Sequence, residues 1–231
     1  MKSVKLGDVA SVGISGVDKK TTPGELPVRL CNYTDVYYNW TIRNEMREGF
    51  MQATARREEI EKYRLHAGQV SLTKDSETRN DIGHAAYIAA DFEDVILGYH
   101  CALITPHAGK LDGQYLNALF RTRYVSDFLS RNAGGSGQRY YLSDSSIKDI
   151  PLFLPPIETQ LLIAGIIGCI IHCLLRSHQE VFAHHQEADG AIYILRVHPL
   201  LSGKLQRQVY CVVRWSTPPQ NVSSHGRATS Q

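Results

Sequence analysis

The chain has 231 residues, 43% of them hydrophobic and 21% charged, with a mean hydropathy of −0.24. That suffices for one ordinary domain plus an appendage or for two small domains, and it excludes a fibre, a disordered chain and a disulfide-stapled miniprotein. With 25 Lys+Arg against 23 Asp+Glu the formal charge is only +2, so nucleic-acid contact requires local patches rather than a global field.

The charge is unevenly spread. Residues 165–231 hold six Lys/Arg against three Asp/Glu, six of the ten His and three of the five Cys, whereas residues 1–164 carry 19 Lys/Arg against 20 Asp/Glu. The start, MKSVKLGDVA, has no apolar signal region, and dispersed, odd-numbered cysteines suit free thiols in a reducing cytoplasm. The apolar run Leu161 to Leu175 contains His172 and is shorter than the ~18 residues that a membrane span needs. It reads as a buried helix.

Along the chain, Leu6 to Val9 forms a short ordered entry before a polar loop extending to Pro27. Val28 to Asn32 alternates as a half-buried strand does, and Asn32 to Asp35 supplies a turn. Thr54 is a capping candidate for a short helix over Arg56 to Lys62. Gln69 to Lys74 alternates with period two and delivers a charged loop, Asp75 to Asp81. Strands follow at Ala85 to Ala89 and at Cys101 to Thr105, the second stopped by Pro106. From the N-cap Asp112, apolar residues at Tyr115, Leu116, Leu119, Phe120, Tyr124, Val125, Phe128 and Leu129 mark one long helix, closed by glycine near Asn132 to Gly135. Ile150 to Pro156 permits only an edge strand or connector, and Pro156 with Glu158 begins a helix running to about Gln179. Pro and Gly break up the remainder, and the stretch from Thr217 has a disordered composition.

Catalytic patterns are absent or weak. Asp8, Asp18 and Lys20 only loosely match a nuclease metal site, and no phosphate loop, dinucleotide fingerprint or nucleophile elbow occurs. Cys169, His172, Cys173 and His178 share one apolar helix, which would enclose a metal poorly. No cofactor and no metal are expected.

Leu6-Gly-Asp-Val9, Gly16-Val-Asp-Lys-Lys20, Pro27-Val-Arg-Leu-Cys-Asn-Tyr-Thr-Asp-Val36, Leu72-Thr-Lys-Asp-Ser-Glu-Thr78, Gly98-Tyr-His100 and Ile150-Pro-Leu-Phe-Leu-Pro-Pro-Ile-Glu-Thr-Gln160 occur in an order that resembles a target-recognition domain of the type I restriction-modification specificity subunit. The likeness covers about residues 4–164. It implies a mixed α/β (α+β) domain over 1–155 that reads half of a bipartite site on double-stranded DNA. A spacer and dimerisation helix would follow over 156–180, then an atypical tail over 181–231. The resemblance also implies a non-catalytic role beside a methyltransferase (modification) subunit and a restriction/translocase subunit.

The departure lies after residue 164. Family members usually carry two recognition domains and two long charged spacer helices; here Gly165-Ile-Ile-Gly-Cys-Ile-Ile-His-Cys173 has no sustained heptad period. The chain reads as half a subunit that pairs with another half, for instance as a homodimer through Leu161, Leu162, Ile166 and Ile170. The alternative is a truncated remnant or interaction module that no longer reads DNA, its tail the product of an event such as a frameshift.

Arg and Lys suit guanine, Asn and Gln adenine, and Glu cytosine, while cations suit phosphates. On that chemistry Lys19, Lys20 and Arg43 are the phosphate candidates. Lys74, Glu77, Arg79, Gln138, Arg139 and Tyr140 are the base-reading candidates, from loops 74–81 and 136–141 with loop 15–24 beside them. Tyr33, Tyr37, Tyr38 and Trp40 interleave with Asn32, Asn39 and Arg43, but aromatics at strand edges more often pack than touch nucleic acid. His100, ahead of an apolar strand, reads as a satisfied histidine.

Overall fold

A computed structural model describes residues 3–184, 194–196 and 210–212, with side chains described through 171 and at 173. The chain divides into two units, Met1–Leu175 and Arg176–Gln231. In chain order the first unit has β1 (Ser3–Lys5), α1 (Leu6–Val9), β2 (Ala10–Ile14), β3 (Leu26–Cys31), α2 (Tyr33–Tyr38), β4 (Thr41–Ile42), a 3₁₀ turn (Asn44–Gly49), β5 (Met51–Ala55) and α3 (Arg57–Tyr63). Then come β6 (Val70–Thr73), β7 (Asp75–Ser76), β8 (Ala85–Ile88), β9 (Val95–Leu97), β10 (Cys101–Pro106), α4 (Gly113–Leu119) and α5 (Arg123–Asn132). The last are β11 (Gly134–Ser136), β12 (Arg139–Tyr141), α6 (Asp144–Lys148), β13 (Pro151–Phe153) and α7 (Ile157–His184), which continues into the second unit. That unit also holds the antiparallel pair β14 (Ile194–Arg196) and β15 (Tyr210–Val212).

A five-stranded sheet in the order β2-β10-β6-β8-β4 lies between two cores. Strand alternation explains this: Ala102, Ile104 and Ala85 enter one core with Leu116 and Leu129, whereas Cys101, Leu103 and Ala86 enter the other with Leu30 and Ile96. Strand β6 is buried on both faces, and its polar positions are satisfied, Ser71 Oγ by the Ala86 carbonyl at 3.1 Å and Thr73 Oγ1 by the His84 N–H at 2.9 Å. The second core is closed by the sheet β5-β3-β9. The edge strand expected around Pro151 pairs antiparallel with β1, Val4 facing Leu152.

Several expectations are corrected. The polar loop to Pro27 contains β2, which pairs with β10 along its length. Asn32 to Asp35 starts a helix instead of a turn, because the Asp35 carboxylate accepts the Asn32 backbone N–H at 2.7 Å. Thr54 caps nothing: its hydroxyl accepts from Thr22 N at 2.8 Å and donates to Glu25 at 2.8 Å, and α3 is opened by Arg56, whose N–H bonds Glu59. Asp112 does cap, accepting from Tyr115 N at 2.8 Å, but the long helix is two. Thr122 takes extended backbone and accepts from Val125 N at 3.4 Å, a fresh N-cap, while the apolar period runs through the bend into one core. Ala133 rather than glycine ends α5, and Gly134 opens a strand. On α7, Leu161, Leu162, Ile166 and Ile170 are more than half exposed, so the run read as buried shows an apolar row to the surroundings of this unit. The segment from Thr217 and the side chains of His172 and His178 lie outside the described residues.

Candidate nucleic-acid interface

The two loops nominated for base reading, sixty residues apart in sequence, form one small sheet. Strand β12 pairs with β11 on one side and β7 on the other, Tyr140 facing Ser76 and Tyr141 facing Asp75. Gly135 makes the hairpin close: its φ is +94°, and a Cβ there would lie 2.1 Å from the Arg139 carbonyl oxygen. The Leu142 N–H donates to the Lys74 carbonyl at 2.7 Å, fixing the hairpin to the end of β6.

Loop 74–81 is held from inside by residues that sequence reasoning offered to DNA. Lys74 Nζ lies 2.7 Å from Asp75 Oδ2 with its side chain 14% exposed, and the same oxygen receives His100 Nδ1 at 2.5 Å. His100 has a φ of +71°, uncommon where a Cβ is present, and its carbonyl accepts the Lys74 N–H at 2.9 Å. It is thus a bonded histidine. The Arg79 guanidinium donates to the carbonyls of Ser130 at 3.3 Å and Ala133 at 3.1 Å and sits 4.9 Å from the Tyr140 ring centre. It ties the loop to the end of α5 and to the hairpin. Asp81 accepts from Tyr37 at 2.9 Å and meets His84 Nε2 at 2.7 Å.

Glu77, Gln138 and Arg139 are exposed and make no side-chain hydrogen bond or ion pair among the described residues. Lys20 pairs with Asp18 at 2.9 Å; the ammonium holds the Asp18 carboxyl below its usual range, and Asp18 raises the Lys20 amine in turn. Lys19 stands near α2, where its charge partly offsets the burial that pushes the Asp35 carboxyl up. The 15–20 loop meets the 97–101 segment through Tyr99 N and the Val17 carbonyl at 2.9 Å. Burial, chiefly, pushes the Tyr33 phenol up to about 12, with Asp81 adding to it, and does the same to the Cys101 thiol.

Arg43 makes no hydrogen bond or ion pair with loop 74–81 or loop 136–141 among the described residues. With Trp40, Tyr87 and Gln114 it lines a groove of ≈ 290 Å³ against Ala164, Ile167 and Ile171 of α7. The root of α7 is locked by a residue that sequence reasoning quoted but assigned no task. Gln160, 1% exposed, accepts from Asp112 N at 3.0 Å and donates to the carbonyls of Lys110 at 3.1 Å and Pro155 at 2.9 Å. A glutamine among apolar residues at a helix start was the available signal. Among the described residues no three His, Cys, Asp or Glu converge as a metal site, and no helix is long and apolar enough to cross a membrane.

No curated protein sequence matches the chain. Among solved structures, a chain from work on complex assembly and conformational transition of the type I restriction-modification system superposes with a TM-score of 0.53 at 16% identity, covering 79% of this chain and 42% of that one. The HsdS subunit from Thermoanaerobacter tengcongensis superposes with a TM-score of 0.50 at 14% identity, covering 78% and 39%. These likenesses show the mixed α+β fold, and the chain spans about two fifths of the length of the structures it matches. The family model described as the type I restriction modification DNA specificity domain matches residues 1–178, and the chain belongs to that family.

Proposed function

We propose that this chain reads one half of a bipartite site on duplex DNA and directs a methyltransferase subunit to it, with a restriction/translocase subunit added in the full complex. It is non-catalytic in this reading and works in the cytoplasm. The observation that supports the proposal is the β11-β12-β7 sheet, which joins the two distant loops that carry the free side chains of Glu77, Gln138 and Arg139. We assign base contacts to Glu77, Gln138 and Arg139 and phosphate contacts to Lys19 and Lys20. Lys74, Arg79 and Tyr140, whose groups bond or stack within the protein, hold the loops in place, and Arg43 is assigned to neither group. The exposed row Leu161, Leu162, Ile166 and Ile170 is assigned to pairing with a second half, a homodimer being the simplest form. Residues 1–155 are assigned to DNA recognition, 156–180 to the spacer and dimerisation helix and 181–231 to an atypical tail. The test is selection from a randomised duplex pool by the full chain together with the methyltransferase subunit. Enrichment of one short motif is expected, and recovery of an unchanged pool would sink the reading.

A further inference from the structure

The cations of the candidate face are few, and several are spent within the protein, Lys74 on Asp75, Arg79 on the α5 carbonyls and Lys20 on Asp18. Aromatic surface is what the face has in excess. Tyr38, Tyr99 and Tyr141 are 77%, 44% and 50% exposed. Tyr99 and Tyr141 adjoin loop 74–81 directly, and Tyr38 is linked to it through Tyr37. The Lys74 ammonium lies 5.8 Å from the centre of the Tyr99 ring, and Tyr141 faces Asp75 in register. Tyr38 stands edge-on to Tyr37 with centroids 4.8 Å apart, and the Tyr37 hydroxyl donates to Asp81.

Tyr37 is itself clamped. Tyr33 stacks on it at 5.7 Å and His84 lies 4.1 Å from it, His84 also bonding Asp81. Tyr38 is therefore a large, solvent-facing ring set against a packed aromatic stack that is bonded to the candidate base-reading loop. A tyrosine has only two side-chain rotors to fix when it meets a partner.

We infer that Tyr38, with Tyr99 and Tyr141 in lesser roles, grips the DNA by packing its ring against the deoxyribose of a nucleotide next to the bases that the loop reads. The inference rests on the proposed DNA-reading function and adds to it a contact that is aromatic rather than ionic. Tyrosine displaces no counterion, so such a grip adds affinity without steepening the dependence on salt.

The test measures duplex binding by the full chain with the methyltransferase subunit, over a salt series, for wild type, Tyr38→Ala and Tyr38→Phe, using the randomised duplex pool. Tyr38→Ala is expected to weaken binding about tenfold at every salt concentration with the slope unchanged, and Tyr38→Phe to stay within about twofold of wild type. Three results overturn the inference while leaving DNA reading intact: wild-type binding by Tyr38→Ala, a loss in Tyr38→Phe equal to that in Tyr38→Ala, or a binding loss matched by a fall in melting temperature. No retention of duplex by the wild type overturns both.

Discussion

Gln160 accepts the backbone N–H of Asp112 at 3.0 Å, while the Asp112 carboxylate caps α4 by accepting from Tyr115 N, three residues on. One buried amide thereby sets the root of α7 against the loop that starts α4. Gln160→Leu takes from that N–H and from two carbonyls the buried amide that partners them. Its expected cost is about 2–4 kcal/mol of stability, read as a lowered melting temperature. An unchanged melting temperature would show that water replaces the amide.

Arg79 and Arg139 separate holding from reading. Arg79→Ala removes two hydrogen bonds and a ring contact that hold loop 74–81, so binding should weaken for all duplexes alike, with about 1–2 kcal/mol of stability lost. Arg139→Ala should leave stability within about 0.5 kcal/mol and relax preference at a single base pair by about 1–3 kcal/mol. Selection profiles for the two variants check this, and the reverse pattern would exchange the roles.

Lys19 and Lys20 differ in what they have to release. Asp18 already holds Lys20, whereas Lys19 makes no ion pair among the described residues. Lys19→Ala should lower affinity for every sequence and reduce the salt slope by about 0.9, and Lys20→Ala should do less. Equal effects would mean that Asp18 lets go on binding.

Alkaline pH should weaken the fold beneath this face. The Cys101 thiol moves from 9.0 and the Tyr33 phenol from 10.0, both up to about 12, chiefly by burial. A raised value means that the native state keeps a proton which the unfolded chain has released. The contribution is therefore whole below the unfolded value of 9.0 and is lost as pH rises toward about 12. For the thiol the slope is at most about 1.4 kcal/mol per pH unit. Thermal melts from about pH 8 to about pH 11 should show the decline, and Cys101→Ala should remove part of it.

The apolar row on α7 makes the quaternary state measurable. Ile166→Asp with Ile170→Asp should turn a defined dimer into a folded monomer, read by light scattering, with a melting temperature that no longer depends on protein concentration. Heterogeneous aggregates in the wild type would favour the reading of a remnant or interaction module.

Local pattern was enough for the elements whose cause is local. Period-two alternation marked β3 and β6, Asp112 announced its helix, and the prolines around Leu152 allowed only an edge strand. The string of short motifs was enough for the family. Where local signals misled, a distant partner had taken the residue: Thr54 bonds Thr22 and Glu25 instead of capping, and β2 is a strand because β10 pairs with it. The site was legible as two polar loops, and sequence named their residues without ranking them. Ranking needed to know which side chains are already used, because a cation bonded inside the protein must break that bond before it can meet a base. Lys74 and Arg79 read like Arg139 in the sequence; tertiary contacts engage the first with Asp75 and the second with the carbonyls at the end of α5, and leave the third without a side-chain partner among the described residues.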